Sequence, residues 1–290
     1  MDVYQVINSR IMELLEQGHL PPWKRSWNAQ SNYPKNLASG KRYNGINVFI
    51  LACQQYSSPW FLTYNQCSAL GGRILKGSKS SPVIFWKWLD SKDTDSGDGP
   101  RSGKIPLLRY YSVFNSDQTE GITLPEPEET HNQFDPITRA EEIVTGMPLL
   151  PEIKYSGNRA YYSPTLDYIQ LPHLHTFDSA EEAACCKFHE IVHASGHSSR
   201  LARKSILEPS YYGSHEYSKE ELVAEMGAAF LCGFCNIEQK TIDNSAAYIS
   251  GWLRSLKNDK TLLVQAASAA QKAADYILNI THPTDQPELT

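Results

Sequence analysis

Apolar residues recur at helical spacing from the start of the chain. The stripe consists of Val3, Val6, Ile7, Ile11, Leu14 and Leu15. Asp2 can cap the first turn of such a helix, and Gly18 can end it. The pattern therefore predicts an amphipathic helix that buries one face in a core.

Two stretches rich in aromatic and β-branched residues follow, at 82–89 and 107–114, and their composition is typical of strands. Residues 90–104 between them are polar and rich in glycine, which indicates a hairpin with an extended insertion. Short helices are predicted at 43–55 and 65–70. The first part of the chain is therefore predicted to be α+β.

A mainly helical pattern fills the second half of the chain. Helices are predicted at 139–145, 180–194, 218–234, 242–257 and 259–278. Two short strands are expected before the second of these helices, at 160–164 and 167–172. Because residues 168–171 directly precede it, we expect them to form an edge strand that can bind an extended peptide.

A segment rich in Pro and Glu, residues 124–130, separates the two halves, and the charge balance changes from basic to acidic there. We therefore expect an α+β protein of two domains. The first is an α+β domain at 1–124, which a linker at 125–135 joins to a mainly helical domain at 136–290.

Composition restricts the class of protein. A net charge of −5 and 41% hydrophobic residues over 290 positions are typical of globular domains. No apolar run reaches the ~18–20 residues of a membrane span, so no membrane partner is expected. The N-terminus lacks the basic and the apolar region of a signal peptide. The six cysteines are scattered along the sequence, which is typical of free thiols in a reducing compartment. Both features predict a cytoplasmic protein. Cys232 and Cys235 are expected to pack in a core.

Basic residues are concentrated between positions 20 and 89, where no acidic residue occurs. The nine cations of this window are Lys24, Arg25, Lys35, Lys41, Arg42, Arg73, Lys76, Lys79 and Lys87. An ordinary surface mixes both signs of charge over such a length. The window therefore indicates a polyanionic partner.

Aromatic residues interleave with these cations, a combination that suits single-stranded DNA because cations bind phosphates and aromatic rings stack on unpaired bases. Trp23, Trp27 and Tyr43 are predicted to be exposed, whereas Phe49, Phe61 and Phe85 are assigned to the core. The alternative is that most of these aromatics form a core. The candidate DNA-binding residues are Trp23, Lys24, Arg25, Trp27, Lys35, Lys41, Arg42, Tyr43, Arg73, Lys76 and Lys79. No motif that reads base sequence is present, so binding is expected to be nonspecific.

The segment 189–193 reads His-Glu-Ile-Val-His. On a helix His189 and His193 share one face, so both imidazoles can bind one metal ion, and Glu190 can accept a proton from a water molecule there. Ser179 and Glu182 form a predicted capping box at the start of this helix. The alternative is a helix with two solvated or core histidines.

A catalytic zinc site needs a third protein ligand. Glu221 and Glu225 lie four residues apart on a later predicted helix. We expect Glu221 to bind the metal and Glu225 to hydrogen-bond a ligand histidine, with the reverse assignment, or two solvated acids, as alternatives. His197 does not fit the metzincin spacing, in which the third histidine would replace Ser199, so it is expected to support the site from outside. Zinc is the expected cofactor, and another divalent metal is the alternative.

The chain resembles the ArdC-type antirestriction proteins of conjugative plasmids and the N-terminal half of plasmid primase-like TraC proteins. The stretches that carry the resemblance are 34–47, 60–66, 76–79, 113–115, 161–164, 189–197 and 220–225. It implies an N-terminal domain that binds single-stranded DNA and a C-terminal zincin-like metallopeptidase domain related to SprT-type proteases. It also implies protection of incoming plasmid DNA from host restriction.

Two functional hypotheses follow. The first is a zinc metallopeptidase that acts on an unknown protein substrate at or near single-stranded DNA. The second is a non-enzymatic DNA-binding protein whose metal site is structural or vestigial. Glu190 favours the first, because a structural metal site needs no general base.

Overall fold

The computed structural model describes residues 2–17, 21–24, 33–52, 54, 56–90, 104–126, 135–208, 215–237 and 246–280. The helices are α1 (Val3–Glu16), α2 (Ile46–Ala52), α3 (Tyr64–Ala69), α4 (Pro136–Gly146), α5 (Ala180–Ser195), α6 (Lys204–Leu207), α7 (His215–Cys235), α8 (Ala246–Asn258) and α9 (Leu262–Ile277). The strands are β1 (Lys35–Asn36), β2 (Trp60–Leu62), β3 (Arg73–Ile74), β4 (Ser81–Asp90), β5 (Lys104–Asn115), β6 (Thr119–Glu120), β7 (Glu152–Tyr155), β8 (Tyr161–Ser163) and β9 (Tyr168–Leu171). The fold class is α+β, as predicted.

Local sequence signals explain where the main helices begin. The carboxylate of Asp2 accepts a hydrogen bond from the backbone N–H of Tyr4 at the start of α1, at 3.1 Å. At the start of α5, the Ser179 hydroxyl accepts from the N–H of Glu182 at 3.1 Å. Each predicted helix is present, although α2 is shorter at both ends than the predicted 43–55.

The first half contains a four-stranded sheet in the order β1-β2-β5-β4. Strands β4 and β5 pair antiparallel from Ser81 opposite Val113 to Asp90 opposite Lys104, so they form one long hairpin. β1 and β2 are parallel and short. A second pair, β3 with β6, lies outside this sheet.

The second half contains a three-stranded sheet in the order β7-β9-β8. β9 pairs with β7 in parallel and with β8 antiparallel, so both of its edges are occupied. The prediction that residues 168–171 form an edge strand is therefore wrong. β7 and β8 form the two edges instead, because β7 pairs with the side of β9 that β8 does not occupy. The local pattern does not reveal this long-range contact.

One hydrophobic core runs through both halves of the chain. It contains α1 residues such as Ile7 and Ile11, α2 residues such as Phe49, and most of the apolar residues of α5, α7 and α9. The rings of Phe49 and Phe230 lie 4.7 Å apart at the centre of this contact. The two halves are therefore packed on each other through buried side chains.

Trp23 belongs to this core, with 0% of its surface exposed, so the prediction of an exposed Trp23 is wrong. Its ring packs edge-on against Trp252 with centroids 5.8 Å apart. Its indole N–H donates to the Glu225 carboxylate over 2.8 Å. The polar, basic residues around Trp23 do not indicate these partners, because both are distant in the sequence.

A smaller core lies between α2 and the first sheet and consists of Tyr43, Leu51, Phe61, Val83 and Val113. Tyr43 is 4% exposed, so it is also a buried residue and not the surface residue that was predicted. Phe61 and Phe49 are buried as expected, whereas Phe85 is 45% exposed. The core covers only the first part of the hairpin, and Phe85 lies beyond its border.

Cys232 and Cys235 are both buried, as predicted. Among the described residues, no helix combines the length and the apolar character needed to cross a membrane.

Candidate metal centre

His189, His193 and Glu221 converge at one point between α5 and α7. The Nε2 atoms of the two histidines lie 3.2 Å apart. The Glu221 carboxylate lies 3.4 Å from Nε2 of His189 and 3.6 Å from Nε2 of His193. Two elements far apart in the sequence thus bring three donor atoms together.

These distances suit a tetrahedral metal ion. Zinc ligands at about 2.0–2.1 Å from the ion lie roughly 3.3 Å from each other in a tetrahedron. The three observed separations fall near this value. Two imidazole nitrogens and one carboxylate oxygen also match the donor set of catalytic zinc sites, which leave the fourth position open.

Close packing of α5 on α7 sets these distances. A Cβ atom at Gly227 would lie 2.8 Å from both γ carbons of Val192, so only glycine allows this approach. Val192 is itself fully buried. The two helices therefore meet at a fixed separation close to the donor atoms, since Val192 is the neighbour of His193 on α5.

Glu190 lies beside the donor atoms and is 6% exposed. Burial raises the pKa of its carboxyl group, and the charge of Glu221 acts in the same direction, whereas His189 and His193 oppose it. The backbone N–H of Tyr162 in β8 donates a hydrogen bond to Glu190. This contact lowers the pKa of Glu190, as the two histidines do.

Glu220, next to Glu221, holds His193 from the other side of its ring. Its Oε1 lies 3.2 Å from Nδ1 of His193. Burial raises the pKa of Glu220, but the hydrogen bond to His193 and the Arg203 guanidinium outweigh it and lower the pKa to about 2. A carboxylate at Nδ1 keeps the proton there, which leaves Nε2 free as a metal donor.

Arg203 ties this carboxylate to the end of α5. Its guanidinium donates to Glu220 over 2.6 Å, to the Ser195 hydroxyl over 2.7 Å and to the Val192 carbonyl over 2.6 Å. Gly196 lies directly beneath it, because a Cβ atom there would come within 2.9 Å of the guanidinium. Arg203 thus closes the network behind His193.

The prediction for Glu225 is corrected by this geometry. Glu225 accepts a hydrogen bond from Trp23, and the carboxylate that bonds a ligand histidine is Glu220. The i, i+4 relation of Glu221 and Glu225 drew attention to one face of the helix. The sequence feature that indicates this role is the pair of adjacent glutamates, Glu220 and Glu221. Each of them reaches a different side of the His193 ring.

His197 lies at the rim of the site and outside the group of donor atoms. Its Nδ1 is 2.8 Å from the Ser199 hydroxyl and 3.8 Å from the Asp167 carboxylate. Asp167 also pairs with Arg200, whose side chain is 1% exposed. This group connects the loop after α5 to the turn before β9.

The donor atoms open into a cleft of about 820 Å³. Tyr161 and Tyr162 of β8 form one wall, and the chain around Ile206 together with Tyr217 forms the other. Because the N–H of Tyr162 points to Glu190, the edge of β8 that is not paired with β9 faces the cleft.

The predicted DNA-binding residues divide into several groups. Lys41, Arg42, Lys76 and Lys79 are exposed, and Lys35 is half-buried with its ammonium group 5.4 Å from the centre of the Trp60 ring. Arg73 is exposed and forms an ion pair with Glu120. Trp23 and Tyr43 are buried. Arg25, Trp27 and the side chain of Lys24 lie outside the described part of the chain.

Comparisons with known proteins agree with the two-part organisation. Residues 1–114 match the family model for the N-terminal domain of the anti-restriction factor ArdC. Residues 138–269 match the model for a zincin-like metallopeptidase.

Among curated proteins, the uncharacterized protein y4eC of Sinorhizobium fredii is 32% identical over 95% of this chain and 91% of its own length. A DNA primase TraC of Escherichia coli is also 32% identical over 95% of this chain, which spans only 20% of that primase. The likeness to the primase is therefore confined to one part of a much longer protein.

Two solved structures of the antirestriction protein ArdC from plasmid R388 share the fold. The metal-free structure is 37% identical, with a TM-score of 0.76 over 97% of this chain and 98% of that chain. The Mn(II)-bound structure is 36% identical, with a TM-score of 0.74 over 98% of this chain and all of that one. The chain belongs to the family of ArdC-type antirestriction proteins.

Proposed function

We propose that this protein is a metal-dependent peptidase that also binds single-stranded DNA and protects incoming plasmid DNA from restriction. The observation that carries the peptidase proposal is the convergence of His189, His193 and Glu221 beside the buried Glu190. The match to a zincin-like family and the Mn(II) ion in the related plasmid protein support a divalent metal, with zinc as our choice.

A zinc ion held by these three ligands would polarise the scissile carbonyl and lower the pKa of water to about 7. Glu190 acts as the general base and then passes the proton to the leaving amine. The backbone N–H of Tyr162 donates to Glu190 and favours its charged form.

Among the described strands, none pairs with the second edge of β8, and this edge is the surface that we propose for the substrate. An extended peptide can pair with the backbone of this strand and so run along the cleft past Glu190. Backbone pairing orients the scissile bond without selecting side chains. This mode suits a peptidase that acts on unfolded or extended segments.

The DNA-binding proposal rests on charge. Lys41, Arg42, Lys76 and Lys79 are exposed, and the window 20–89 from which they come has no acidic residue. Contacts between cations and phosphates release bound counterions, so affinity should fall steeply with salt. This field can bring the peptidase cleft close to proteins that act on single-stranded DNA.

The peptidase proposal is tested by cleavage of an unstructured protein, with and without single-stranded DNA. Wild type and Glu190→Gln are loaded with zinc, and their metal contents are matched. Glu190→Gln keeps the size of the side chain but removes the base, so cleavage should fall by about 10²–10⁴-fold. A chelator should abolish cleavage by wild type, and added zinc should restore it.

Equal cleavage by the two proteins would contradict the peptidase proposal and assign the activity to a contaminant. Absence of cleavage by zinc-loaded wild type on unstructured proteins would favour the non-enzymatic alternative. The DNA proposal is tested separately by fluorescence anisotropy over a range of salt. Combined Lys76→Ala and Lys79→Ala should lower the salt dependence, whereas Lys204→Ala in the second half should not.

A further inference from the structure

Phe85 and Tyr111 form an exposed aromatic pair on the hairpin of β4 and β5. Their rings meet edge to face with centroids 5.8 Å apart. Phe85 is 45% exposed and Tyr111 is 40% exposed. Neighbouring aromatic rings that present this much surface to water indicate a contact surface rather than part of the core.

The aromatic pair stands on a rigid base. The buried Tyr43 contacts Phe85 with ring centroids 6.1 Å apart. Val83 and Val113, which precede Phe85 and follow Tyr111 on the same face of the hairpin, are at most 1% exposed. The smaller core thus fixes the position of the two rings before any ligand arrives.

A cation lies within the same face. Arg109 is directly opposite Phe85 in the ladder and two residues from Tyr111, so all three side chains leave the sheet on one side. Arg109 is exposed. Positive charge and aromatic surface therefore coincide at Arg109, Phe85 and Tyr111.

We infer that Phe85, Tyr111 and Arg109 are the surface on which the bases of single-stranded DNA stack. This inference rests on the proposed DNA binding. It assigns the contact with the bases to Phe85, which the sequence pattern predicts to be in the core, and to two residues that are not among the predicted DNA-binding residues. Unpaired bases expose flat faces that can stack on aromatic rings, whereas bases in a duplex cover each other. Every base has such a face, so the surface selects single strands without selecting sequence.

The test is fluorescence anisotropy of the full chain with a labelled single strand of mixed sequence and with the matching duplex. Phe85→Ala and Tyr111→Ala should each weaken binding to the single strand by roughly tenfold, and duplex binding should change little. The combined exchange Phe85→Tyr and Tyr111→Phe keeps both rings, so it should leave affinity within about twofold.

Arg109 supplies an independent measurement. Arg109→Ala should lower the slope of log affinity against log salt by about 0.7, the contribution of one phosphate contact on a single strand. Arg109→Lys keeps the charge and should keep the slope. Thermal unfolding shows whether each variant folds. Phe85→Leu and Tyr111→Leu retain apolar packing without a ring face, and they serve if the alanine variants unfold.

The outcomes separate this inference from the proposal beneath it. If wild type does not bind the single strand, the proposed DNA binding and the stacking surface are both wrong. If wild type binds and the variants without rings bind equally well, DNA binding stands and this surface is wrong. An equal loss for single strand and duplex would also overturn it, because stacking on unpaired bases would then not be the cause.

Discussion

Oε1 of Glu220 lies 3.2 Å from Nδ1 of His193, while the adjacent Glu221 lies 3.6 Å from Nε2 of the same ring. One imidazole is thus held between two successive residues of α7. The first fixes the ring and its proton, and the second shares the other side of the ring with His189. Metal binding should therefore depend on a residue that is not itself a ligand.

Glu220→Gln should lower zinc affinity by about 10–100-fold, because it removes the charge that orients His193 while preserving the size of the side chain. Titration against a competing chelator measures this directly. Glu225→Gln is the matched control on the same helix, and its affinity should stay within about twofold because Glu225 bonds to Trp23. A larger loss of zinc affinity for Glu225→Gln than for Glu220→Gln would instead assign to Glu225 the hydrogen bond to the ligand histidine.

Gly227→Ala should destabilise the protein by ~1–2 kcal/mol, since overpacking against Val192 exceeds the gain in helix propensity. It should also weaken zinc binding by moving α5 away from α7. Urea unfolding and metal titration provide the two measurements. Gly251→Ala in α8 meets nothing within 4 Å and should stabilise by about 0.5–1 kcal/mol. A similar gain at both glycines would show that the helices are not in close contact.

Trp23→Phe should lower the free energy of unfolding by ~1–3 kcal/mol, because the Glu225 carboxylate loses its indole donor and the contact with Trp252 is reduced. Affinity for single-stranded DNA should not change. Unfolding and anisotropy on the same preparation test both statements. A large loss of DNA affinity in a variant that remains as stable as wild type would return Trp23 to the binding surface.

Asp167 should make stability depend on pH. Burial raises the pKa of this carboxyl group, but hydrogen bonds from Arg200 and Tyr162 outweigh it, so the pKa lies below its usual value. The stabilisation is then complete above the unfolded pKa of about 3.9 and is lost as pH falls through the folded value. Asp167→Asn should cost about 1 kcal/mol at pH 7, after allowance for partial exposure.

The cost of Asp167→Asn should shrink toward zero as the pH falls below about 4. Asparagine tolerates the positive φ of 49° at this position, so backbone strain does not complicate the comparison. Urea unfolding at pH 7 and at pH 3 measures the difference. A cost that is constant with pH would show that the charge of Asp167 does not contribute.

Features set by local spacing could be predicted from the sequence. His189, Glu190 and His193 occupy one helical stretch, and the structure brings the two histidines close to Glu221. The helices and the long hairpin also follow from periodicity and from capping residues such as Ser179. These features depend on neighbours within a few positions.

Features set by tertiary contacts could not be predicted. Trp23 and Tyr43 lie in polar, basic sequence, yet each meets a buried partner from a distant element. Phe85 lies in an apolar run, but the smaller core ends at Val83 on this face of β4, and Phe85 is exposed. The role of Glu220 depends on Ser205 in α6 and on Arg203 directly before that helix, which both donate to Glu220 in α7. The spacing of hydrophobic residues along the sequence does not indicate any of these contacts.

The central claim is that one divalent metal binds through His189, His193 and Glu221, with Glu190 free to act as a base. Equilibrium dialysis against zinc, followed by metal analysis, tests it most directly in wild type, His193→Ala, Glu221→Ala and Glu190→Gln. Wild type and Glu190→Gln should each retain one zinc per chain, and the other two should retain far less. One zinc in all four proteins, or none in wild type, would contradict the account.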